Sequence, residues 1–382
     1  MQELEKPSYK DLLLMFLKLG FTALGGPAMV NHVRKNIVEK KQWLDARTFD
    51  NGMALCQTIP GAIVMQVSAY CGLKIKGFKG ALVCFIGFGF PAFLVMLILS
   101  VLYVQFRDLS TVESILATLR VFIAAIVLHA TFTFGKRFFH TINDVVIALI
   151  SAALFLTKLH PALVIIISGL LGAFISKNNG DPIGQTGITR TLKYFFILLG
   201  LLALSLFILF FVSPNLFKLA LTMLRIDVFA FGGGFAAVPV FYHEIIDVNS
   251  WLDKKTFLDG IILGQITPGS IIITATFVGY LKFGLTGAIL ATLFVFTPSF
   301  LILMALVPFF DKLRTYPQFN KIINGVLCSF VGLLLIVTYH FGIEIHWSAS
   351  SIILAVAALA ALLLNVDVIW VILGGILVSL FM

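Results

Sequence analysis

Residues 43–61 read WLDARTFDNGMALCQTIPG, and residues 251–269 read WLDKKTFLDGIILGQITPG. The two stretches share Trp, Leu, Asp, Thr, Phe, Gly, Leu, Gln, Pro and Gly at a constant offset of 208 residues. Upstream, Gly25-Gly26-Pro27 of the first copy corresponds to Gly232-Gly233-Gly234 of the second. A duplicated core rich in glycine and proline, inside a very apolar chain, is typical of a membrane transporter made of two repeats.

The composition supports a membrane protein. The chain has 382 residues, of which 60% are hydrophobic and 12% are charged, whereas soluble domains carry about 25% charged residues. Residues 80–104, 194–217 and 286–310 contain no charged side chain or histidine, and each run is long enough to cross a ~30 Å hydrocarbon core as a helix. Because these runs are continuously apolar, a membrane β-barrel is disfavoured. The sequence therefore predicts an all-α polytopic membrane protein with two homologous helical repeats.

The boundaries of the repeats follow from the linker between them. Residues 177–192 contain Gly, Asn, Pro and Thr without an apolar run, which is typical of a linker. We therefore expect a first repeat over residues 1–176, a linker with a connecting transmembrane helix over 177–213, and a second repeat over 214–382.

Two matched Pro-Gly pairs interrupt apolar segments, at Pro60-Gly61 and Pro268-Gly269. Proline removes a backbone donor, and a broken helix persists in lipid only where its free backbone groups face protein or a wet cavity. The helix that restarts after the break presents N–H groups and the positive end of its dipole, which suit an anion. A kink with only a packing role is the alternative. The duplication, with a glutamine three residues before each proline (Gln57 and Gln265), favours a binding site.

The orientation of the repeats depends on how these segments are folded. If each Pro-Gly segment is a re-entrant hairpin, the repeats are parallel; if each is one broken spanning helix, the repeats are inverted. The loop at 31–47 carries five basic and two acidic residues, which favours the cytoplasm and hence the hairpin. The net charge of +9 likewise reflects basic short loops. No basic stripe is interleaved with exposed aromatics, so nucleic acid is not an expected partner.

Several charged residues lie within apolar segments. Lys18 and Arg225 each precede a glycine cluster by seven residues. Charged side chains in membrane helices are rare and usually functional, although snorkelling to the interface is the alternative for a lysine near a helix end. Asp227, His243 and Glu244 are candidates for proton coupling, because acids and histidines can relay protons. Simple ion pairing is the alternative for Asp227.

The sequence offers no sign of an enzyme. It contains no P-loop, no HExxH motif, no CxxC pair and no plausible Ser/His/Asp constellation, so we expect no catalytic residue, cofactor or metal. The four cysteines fit small buried hydrophobic residues. An intramembrane enzyme acting on lipid is disfavoured because no nucleophile–base pair is visible.

The motifs resemble those of the chromate ion transporter family in its long, two-domain form. In the first half these are Gly25-Gly26-Pro27, Trp43-Leu44 and the Gln-x-x-Pro-Gly segment that ends at Gly61. In the second half, the motifs read FGGG at 231–234, GQITPG at 264–269 and TFVGY at 276–280. The resemblance covers nearly the whole chain.

The resemblance implies secondary transport of chromate, exported across a prokaryotic inner membrane and driven by an ion gradient or the membrane potential. Sulfate, which has the same shape, is the expected competitor. The lipid bilayer surrounds the protein, and a homo-oligomer is an open alternative to a monomer. The two halves of the family's proteins are thought to lie in the membrane in opposite orientations. The loop charges of this chain instead favour parallel repeats. Transport of another anion and an anion channel on the same repeat are the alternatives.

The chain departs from the family pattern at several positions. Ala62 and Ser270 stand where the family has the second proline of Pro-Gly-Pro. Asp227 stands where a small residue is usual. In the first half, Asn36 and Asn51 stand where the family commonly has acids. In the second half, the equivalent residues Glu244 and Asp259 are acids. These departures bear on the identity of the substrate and of the coupling ion.

The predicted anion site combines matched elements from both repeats. The N–H groups after Pro60 and Pro268, the hydroxyls of Thr267 and Ser270, and the two glutamine amides would contact the oxyanion. The two membrane cations would neutralise its charge. The complete predicted set is Lys18, Gly25, Gly26, Gln57, Pro60, Gly61, Arg225, Gly232, Gly233, Gly234, Gln265, Thr267, Pro268, Gly269 and Ser270.

Overall fold

The structure, a computed structural model, is predominantly helical. It describes residues 7–22, 28–157, 159, 161–175, 191–231, 234–309, 317–345, 347–364, 366 and 368–379. Within these ranges there is no strand. The prediction of an all-α protein is confirmed.

Fifteen α-helices occur in the described ranges. The first repeat holds α1 (Tyr9–Thr22), α2 (Ala28–Arg34), α3 (Ala46–Thr58), α4 (Ile63–Phe106), α5 (Ser110–Phe138), α6 (Ile142–Leu156) and α7 (Pro161–Ile175). The connecting helix is α8 (Thr191–Val212). The second repeat holds α9 (Pro214–Val228), α10 (Ala237–Tyr242), α11 (Lys254–Ile266), α12 (Thr274–Leu306), α13 (Pro317–Ile343), α14 (Ala349–Leu363) and α15 (Val368–Ser379). Five segments, in α4, α5, α8, α12 and α13, are long and apolar enough to cross a membrane.

The backbone repeats in detail as well as in sequence. Wide π-helical turns occur at Lys35–Lys40 and His243–Val248, at the offset of the duplicated motif. Each turn is followed by a residue with positive φ, at Gln42 (52°) and Ser250 (48°). The N-cap of α3 is Asp45, whose carboxylate accepts from Thr48 N at 2.8 Å, and this bond holds the pKa of Asp45 below its usual range. The repeat is thus a structural one.

Helices α4 and α12 are helical hairpins rather than single long spans. The chain turns at Lys76-Gly77 in α4 and at Phe283-Gly284 in α12, and Gly77 and Gly284 have φ of +66° and +62°. A Cβ added to Gly72 would overlap the carbonyl of Gly80, although a straight helix would separate them by about 12 Å. The hydroxyls of Thr276 and Thr292 lie 2.7 Å apart in the same way. Each hairpin therefore packs its two arms against each other.

The first Pro-Gly segment is the tip of a further hairpin. A Cβ added to Gly52 of α3 would overlap the ring of Tyr70 in α4. These residues lie nine positions before and nine after Gly61, and a straight helix would separate them by about 27 Å. Helix α3 and the first arm of α4 therefore fold back on each other, as the hairpin alternative predicts.

The chain divides into two compact units, and each contains segments of both repeats. One unit takes in residues 1–98, 182–234 and 267–313, and the other takes in 99–181, 235–266 and 314–382. In the second unit, α13 packs on α6 and α7, whereas α5 packs on α14 and α15. Each repeat thus supplies a long helix that packs on the short helix pair of the other repeat, and the repeats are interwoven.

The equivalent helices α5 and α13 run in opposite directions where they cross. The hydroxyls of Thr131 and Thr338, which are equivalent at an offset of 207, lie 3.4 Å apart where α5 crosses α13. Further along α5, Phe138 O accepts from the thiol of Cys328, ten residues before Thr338. This antiparallel crossing is expected of inverted repeats. Since the first Pro-Gly segment is also a hairpin, the inference from hairpins to parallel repeats is wrong for this chain.

Candidate functional site

The first break is a sharp turn in which glycine is required. Helix α3 ends at Thr58, Ile59 is extended (φ −97°, ψ 154°), and Gly61 has φ +119°. Side chains rarely tolerate that φ. A Cβ added to Gly61 would also overlap Ser299 Oγ of α12. Both the backbone conformation and the close approach of the other repeat therefore demand glycine here.

Backbone N–H groups of the first break already have partners. Gly61 N donates to Ala230 O at 2.8 Å, and Ala62 N donates to Ser299 Oγ at 3.0 Å. The side chain of Gln66 completes the turn, because its Nε2 donates to Pro60 O at 2.6 Å. The expectation that the first N–H groups after Pro60 face an anion is therefore not met in this conformation.

Asp227, near the end of α9, is fully buried beside this break. Its Oδ2 accepts two hydrogen bonds from Ser299, from the backbone N at 2.7 Å and from Oγ at 2.6 Å. Its Oδ1 is buried and has no hydrogen-bond partner among the described residues, and the same holds for Oε1 of Gln66. Among the described residues no basic side chain pairs with Asp227, so ion pairing does not explain this carboxyl.

At the second break the geometry is repeated with the two halves exchanged. Gly269 has φ +110°, and a Cβ there would lie 3.1 Å from Ala92 Cβ of α4. Ala92 follows Pro91 just as Ser299 follows Pro298, at an offset of 207. Each break therefore packs on the residue that follows the helix proline of the other repeat, which is the arrangement expected of a local two-fold axis.

A half-buried hydroxyl distinguishes the second break. Ser270 Oγ would lie 2.9 Å from a Cβ added to Gly234, so the last residue of the glycine cluster approaches the break closely. Among the described residues, Ser270 Oγ accepts one hydrogen bond, a long one from Ile272 N at 3.4 Å. The neighbouring Thr267 is buried, and its Oγ1 donates to Met96 Sδ at 3.6 Å. The structure thus brings together Gly234, Thr267, Gly269 and Ser270 of the predicted set.

The two predicted glutamines differ in what surrounds their amides. Gln57 and Gln265 are both half-buried near the ends of α3 and α11. Gln265 Nε2 is buried and has no hydrogen-bond partner in the part of the chain that the structure describes, which is rare for an amide donor. An unsatisfied buried donor three residues before Pro268 is compatible with a ligand. Four predicted glycines, Gly25, Gly26, Gly232 and Gly233, lie outside the described residues.

The remaining predicted charges are distributed over both units. Lys18 and Arg225 are exposed at matched positions of α1 and α9, in the unit that contains both breaks. His243 and Glu244 belong to the other unit, where they are buried in a π-helical turn, with His243 Nδ1 3.4 Å from Asp247 Oδ2. The neutralising role of the cations and the proton-coupling role of these two residues stay predictions.

Sequence reasoning missed Ser299 and Gln66, although the repeat contained a signal for the serine. Ser299 is equivalent to Ala92, and Asp227 is equivalent to Gly20, both at an offset of 207. In the first repeat, a Cβ at Gly20 would lie 2.5 Å from Phe88 O and 2.9 Å from Pro91 Cγ. A tight glycine contact in one repeat is therefore replaced in the other by an acid that is hydrogen-bonded to a serine.

A second cluster of charges lies in the other unit and is well paired. Arg120 donates from Nε and Nη2 to the two carboxylate oxygens of Asp259, at 2.8 and 2.9 Å. Tyr103 also donates to Asp259 at 3.0 Å. Because buried charges are tolerated when paired and hydrogen-bonded, this cluster has a sufficient structural role. Across the described part of the chain, no three His, Cys, Asp or Glu side chains are grouped to hold a metal.

These features define a class of protein. Long apolar helices, interwoven repeats and matched Pro-Gly breaks are those of a multi-pass membrane transporter built from inverted repeats. The profile of the chromate transporter family matches the chain twice, over residues 10–173 and 217–380. The chain therefore belongs to the chromate transporter family. No solved structure matches it.

Relatives are similar over most of their length. An uncharacterized transporter of Methanocaldococcus jannaschii is 41% identical over 94% of this chain and 90% of its own. The chromate transport protein of Cupriavidus metallidurans is 28% identical over 86% of this chain and 82% of its own. The chromate transport protein of Pseudomonas aeruginosa is 26% identical, covering 86% and 79% respectively.

Proposed function

We propose that this protein is a secondary transporter that exports chromate across the inner membrane of a prokaryotic cell. Family membership supports transport, and the names of the relatives from Cupriavidus metallidurans and Pseudomonas aeruginosa support chromate as the substrate. The chain has no P-loop for ATP, so an ion gradient or the membrane potential is the driving force.

The anion binds at the second Pro-Gly break in this proposal. The observation that carries it is the half-buried Ser270 hydroxyl beside Gly234 and Gly269, whose one hydrogen bond to the described residues is long. A tetrahedral oxyanion accepts hydrogen bonds from hydroxyls and from backbone N–H groups at the start of a helix. Gln265 adds an unsatisfied amide donor immediately before the break.

The charge of the anion requires compensation that Ser270 cannot supply. Arg225 and Lys18 are the cations at matched places in α9 and α1. Both side chains are long enough to bury their stems and move their charged ends. In the proposed cycle at least one of them approaches the anion when the protein changes conformation.

Flux of radiolabelled chromate into proteoliposomes tests the function. We expect saturable uptake that responds to an imposed proton gradient or potential and that is inhibited by sulfate, which has the same shape and charge. Current without saturation or coupling would identify a channel instead. Saturable sulfate flux without chromate flux would identify a transporter of another oxyanion.

Substitution of Ser270 tests the site. Ser270→Ala removes the hydroxyl without adding bulk, and a lost hydrogen bond to a charged ligand corresponds to about 1.5–3 kcal/mol, so chromate affinity should fall at least tenfold. Ser348→Ala is the matched control, because Ser348 caps α14 in the other unit with the same kind of hydrogen bond. Equal affinities in the two variants would contradict the site.

A further inference from the structure

We propose that Asp227 and Gln66 bind one exchangeable proton between them, and that Ser299 links this proton to the first Pro-Gly break. The use of the proton for transport rests on the proposed function, whereas the proton site itself does not. The site belongs entirely to the unit that contains residues 1–98, 182–234 and 267–313.

The hydrogen bonds show which atom carries the proton. Asp227 Oδ2 is saturated by two donors of Ser299, the backbone N and Oγ. Oδ1 is buried and receives no hydrogen bond from any described residue. A buried carboxylate with one bare oxygen and no countercharge is strongly disfavoured relative to the neutral acid. A proton on Oδ1 removes the charge and turns this oxygen into a donor.

In this proposal Gln66 is the acceptor for that donor, because Gln66 and Asp227 are both hydrogen-bonded to Ser299. Its Nε2 donates to Pro60 O at 2.6 Å, which assigns the amide orientation, since a flipped amide would set two acceptors against each other. The remaining atom, Oε1, is buried and has no partner, and Gln66 is fully buried. Two unsatisfied acceptors in one hydrogen-bonded cluster are both satisfied by one added proton.

A metal ion fits this cluster less well than a proton. Hard cations such as Ca²⁺ and Mg²⁺ take six or more oxygen ligands. Here two oxygens are available, Asp227 Oδ1 and Gln66 Oε1, because Oδ2 already accepts from two donors. Within the residues that the structure describes, no group of three His, Cys, Asp or Glu occurs near or away from this point.

The neighbouring helices supply no ion pair for Asp227. Helices α8 and α12 pack on α9, and α4 contributes Gln66. The titratable side chains on these elements are Lys193, Tyr194, Lys218, Arg225, Tyr280, Lys282, Tyr70, Cys71, Lys74, Lys76, Lys79, Cys84 and Tyr103. In the described ranges, none of them is hydrogen-bonded or ion-paired with the carboxyl of Asp227, so its charge state is governed by burial and by Ser299.

Ser299 connects the proton to the break. Its hydroxyl donates its single hydrogen to Asp227 and accepts from Ala62 N at 3.0 Å. Loss of the proton leaves a buried negative charge, which is relieved when water enters beside Ser299 and the contact with Ala62 loosens. The proposed coupling runs through this break: the protonated form, in which the break is closed, is the form that binds the anion, and by linkage each ligand raises the affinity of the other.

Only one repeat contains such a site. The equivalents of Asp227 and Ser299 in the first repeat are Gly20 and Ala92, which carry no polar side-chain atom. Gly20 instead packs against the backbone of Phe88. The chain thus has one proton site of this kind for its two breaks.

Infrared spectroscopy of the purified full-length protein tests the site without requiring transport. We expect the C=O band of a protonated carboxylic acid at neutral pH, its loss in Asp227→Asn, and a shift of the band in Gln66→Met, which removes the acceptor. Asp108→Asn, which alters an exposed acid, is the control and should leave the band unchanged. A band that persists in Asp227→Asn, or that disappears on adding sodium to the wild type, would overturn the proposal.

Chromate binding at different pH tests the coupling. While Asp227 titrates, wild-type affinity should rise up to about tenfold for each unit that the pH falls. In Asp227→Asn, which imitates the protonated form, affinity should stay within about twofold over the same range. An equal pH dependence in both proteins would overturn the coupling. Absence of chromate binding together with the expected infrared result would contradict the proposed function alone.

Discussion

The two Pro-Gly breaks share a backbone but differ in what surrounds them. Gly61 and Gly269 have φ of +119° and +110°, and each packs on the opposite repeat. The first break is closed by a chain of hydrogen bonds from Ala62 through Ser299 to Asp227. The second presents the half-buried hydroxyl of Ser270. Duplication supplied the scaffold, and a few substitutions gave the two breaks different surroundings, a buried carboxyl at one and a half-buried hydroxyl at the other, which we propose to bind a proton and the anion respectively.

The largest expected effect comes from alanine at the two break glycines. Gly61→Ala meets both a disfavoured φ and an overlap with Ser299 Oγ, and these together should lower the free energy of unfolding by about 2–5 kcal/mol. Gly269→Ala meets a similar φ but only Ala92 at 3.1 Å, and should lower it by about 1–3 kcal/mol. Thermal unfolding in detergent measures both values.

The double variant Gly61→Ala/Ser299→Ala provides the control. Removing the serine hydroxyl relieves the overlap, so the double variant should be less destabilised than the sum of its single variants. Strict additivity would show that Gly61 is required for its φ alone.

A smaller effect is expected from Ser299→Ala alone. This change leaves Asp227 with neither a hydroxyl donor nor a link to Ala62, and should lower the unfolding free energy by about 1–3 kcal/mol. The matched variant Ala92→Ser places a hydroxyl at the equivalent position of the first repeat, where Gly20 offers no partner but the serine can donate to the carbonyl four residues earlier in its own helix. Denaturant or thermal titration should show no comparable loss for Ala92→Ser beyond about 1 kcal/mol. A larger loss for Ala92→Ser would contradict the asymmetry.

The glutamines should give the smallest difference. Gln265→Ala removes an amide whose Nε2 has no partner in the described structure, so it should lower chromate affinity about tenfold. Gln57→Ala, its equivalent, should change affinity less than about threefold. Isothermal binding titration separates the two, and a reversed order would move the anion toward the first break.

The sequence predicts the scaffold well because its signals are local. Uncharged runs of membrane length predict the helices, and the shared Pro-Gly pairs predict the breaks at Gly61 and Gly269. The family resemblance and the antiparallel crossing at Thr131 and Thr338 agree on inverted repeats, whereas the loop charges favoured the opposite. Loop charges indicate only on which side of the membrane a loop lies. They do not show whether a segment such as α4 crosses the membrane or returns as a hairpin to the same side, and this decides the orientation of the helices that follow.

The contacts between repeats are not predictable in the same way. Nothing in the sequence near Pro60 indicates that Ser299, more than two hundred residues away, lies against Gly61. Only the comparison of the two repeats marks the site, because Gly20 and Ala92 are replaced together by Asp227 and Ser299. Paired polar substitutions at equivalent positions are therefore the signal to seek in a duplicated chain.

The affinity of the purified protein for chromate, measured against pH, tests the division of labour between the breaks most directly. We predict that Ser270→Ala shifts the whole curve to weaker binding with its slope unchanged. We predict that Asp227→Asn instead removes the slope. If both variants shift the curve in the same way, or if Ser270→Ala removes the slope, then the two breaks do not have separate roles and the account is contradicted.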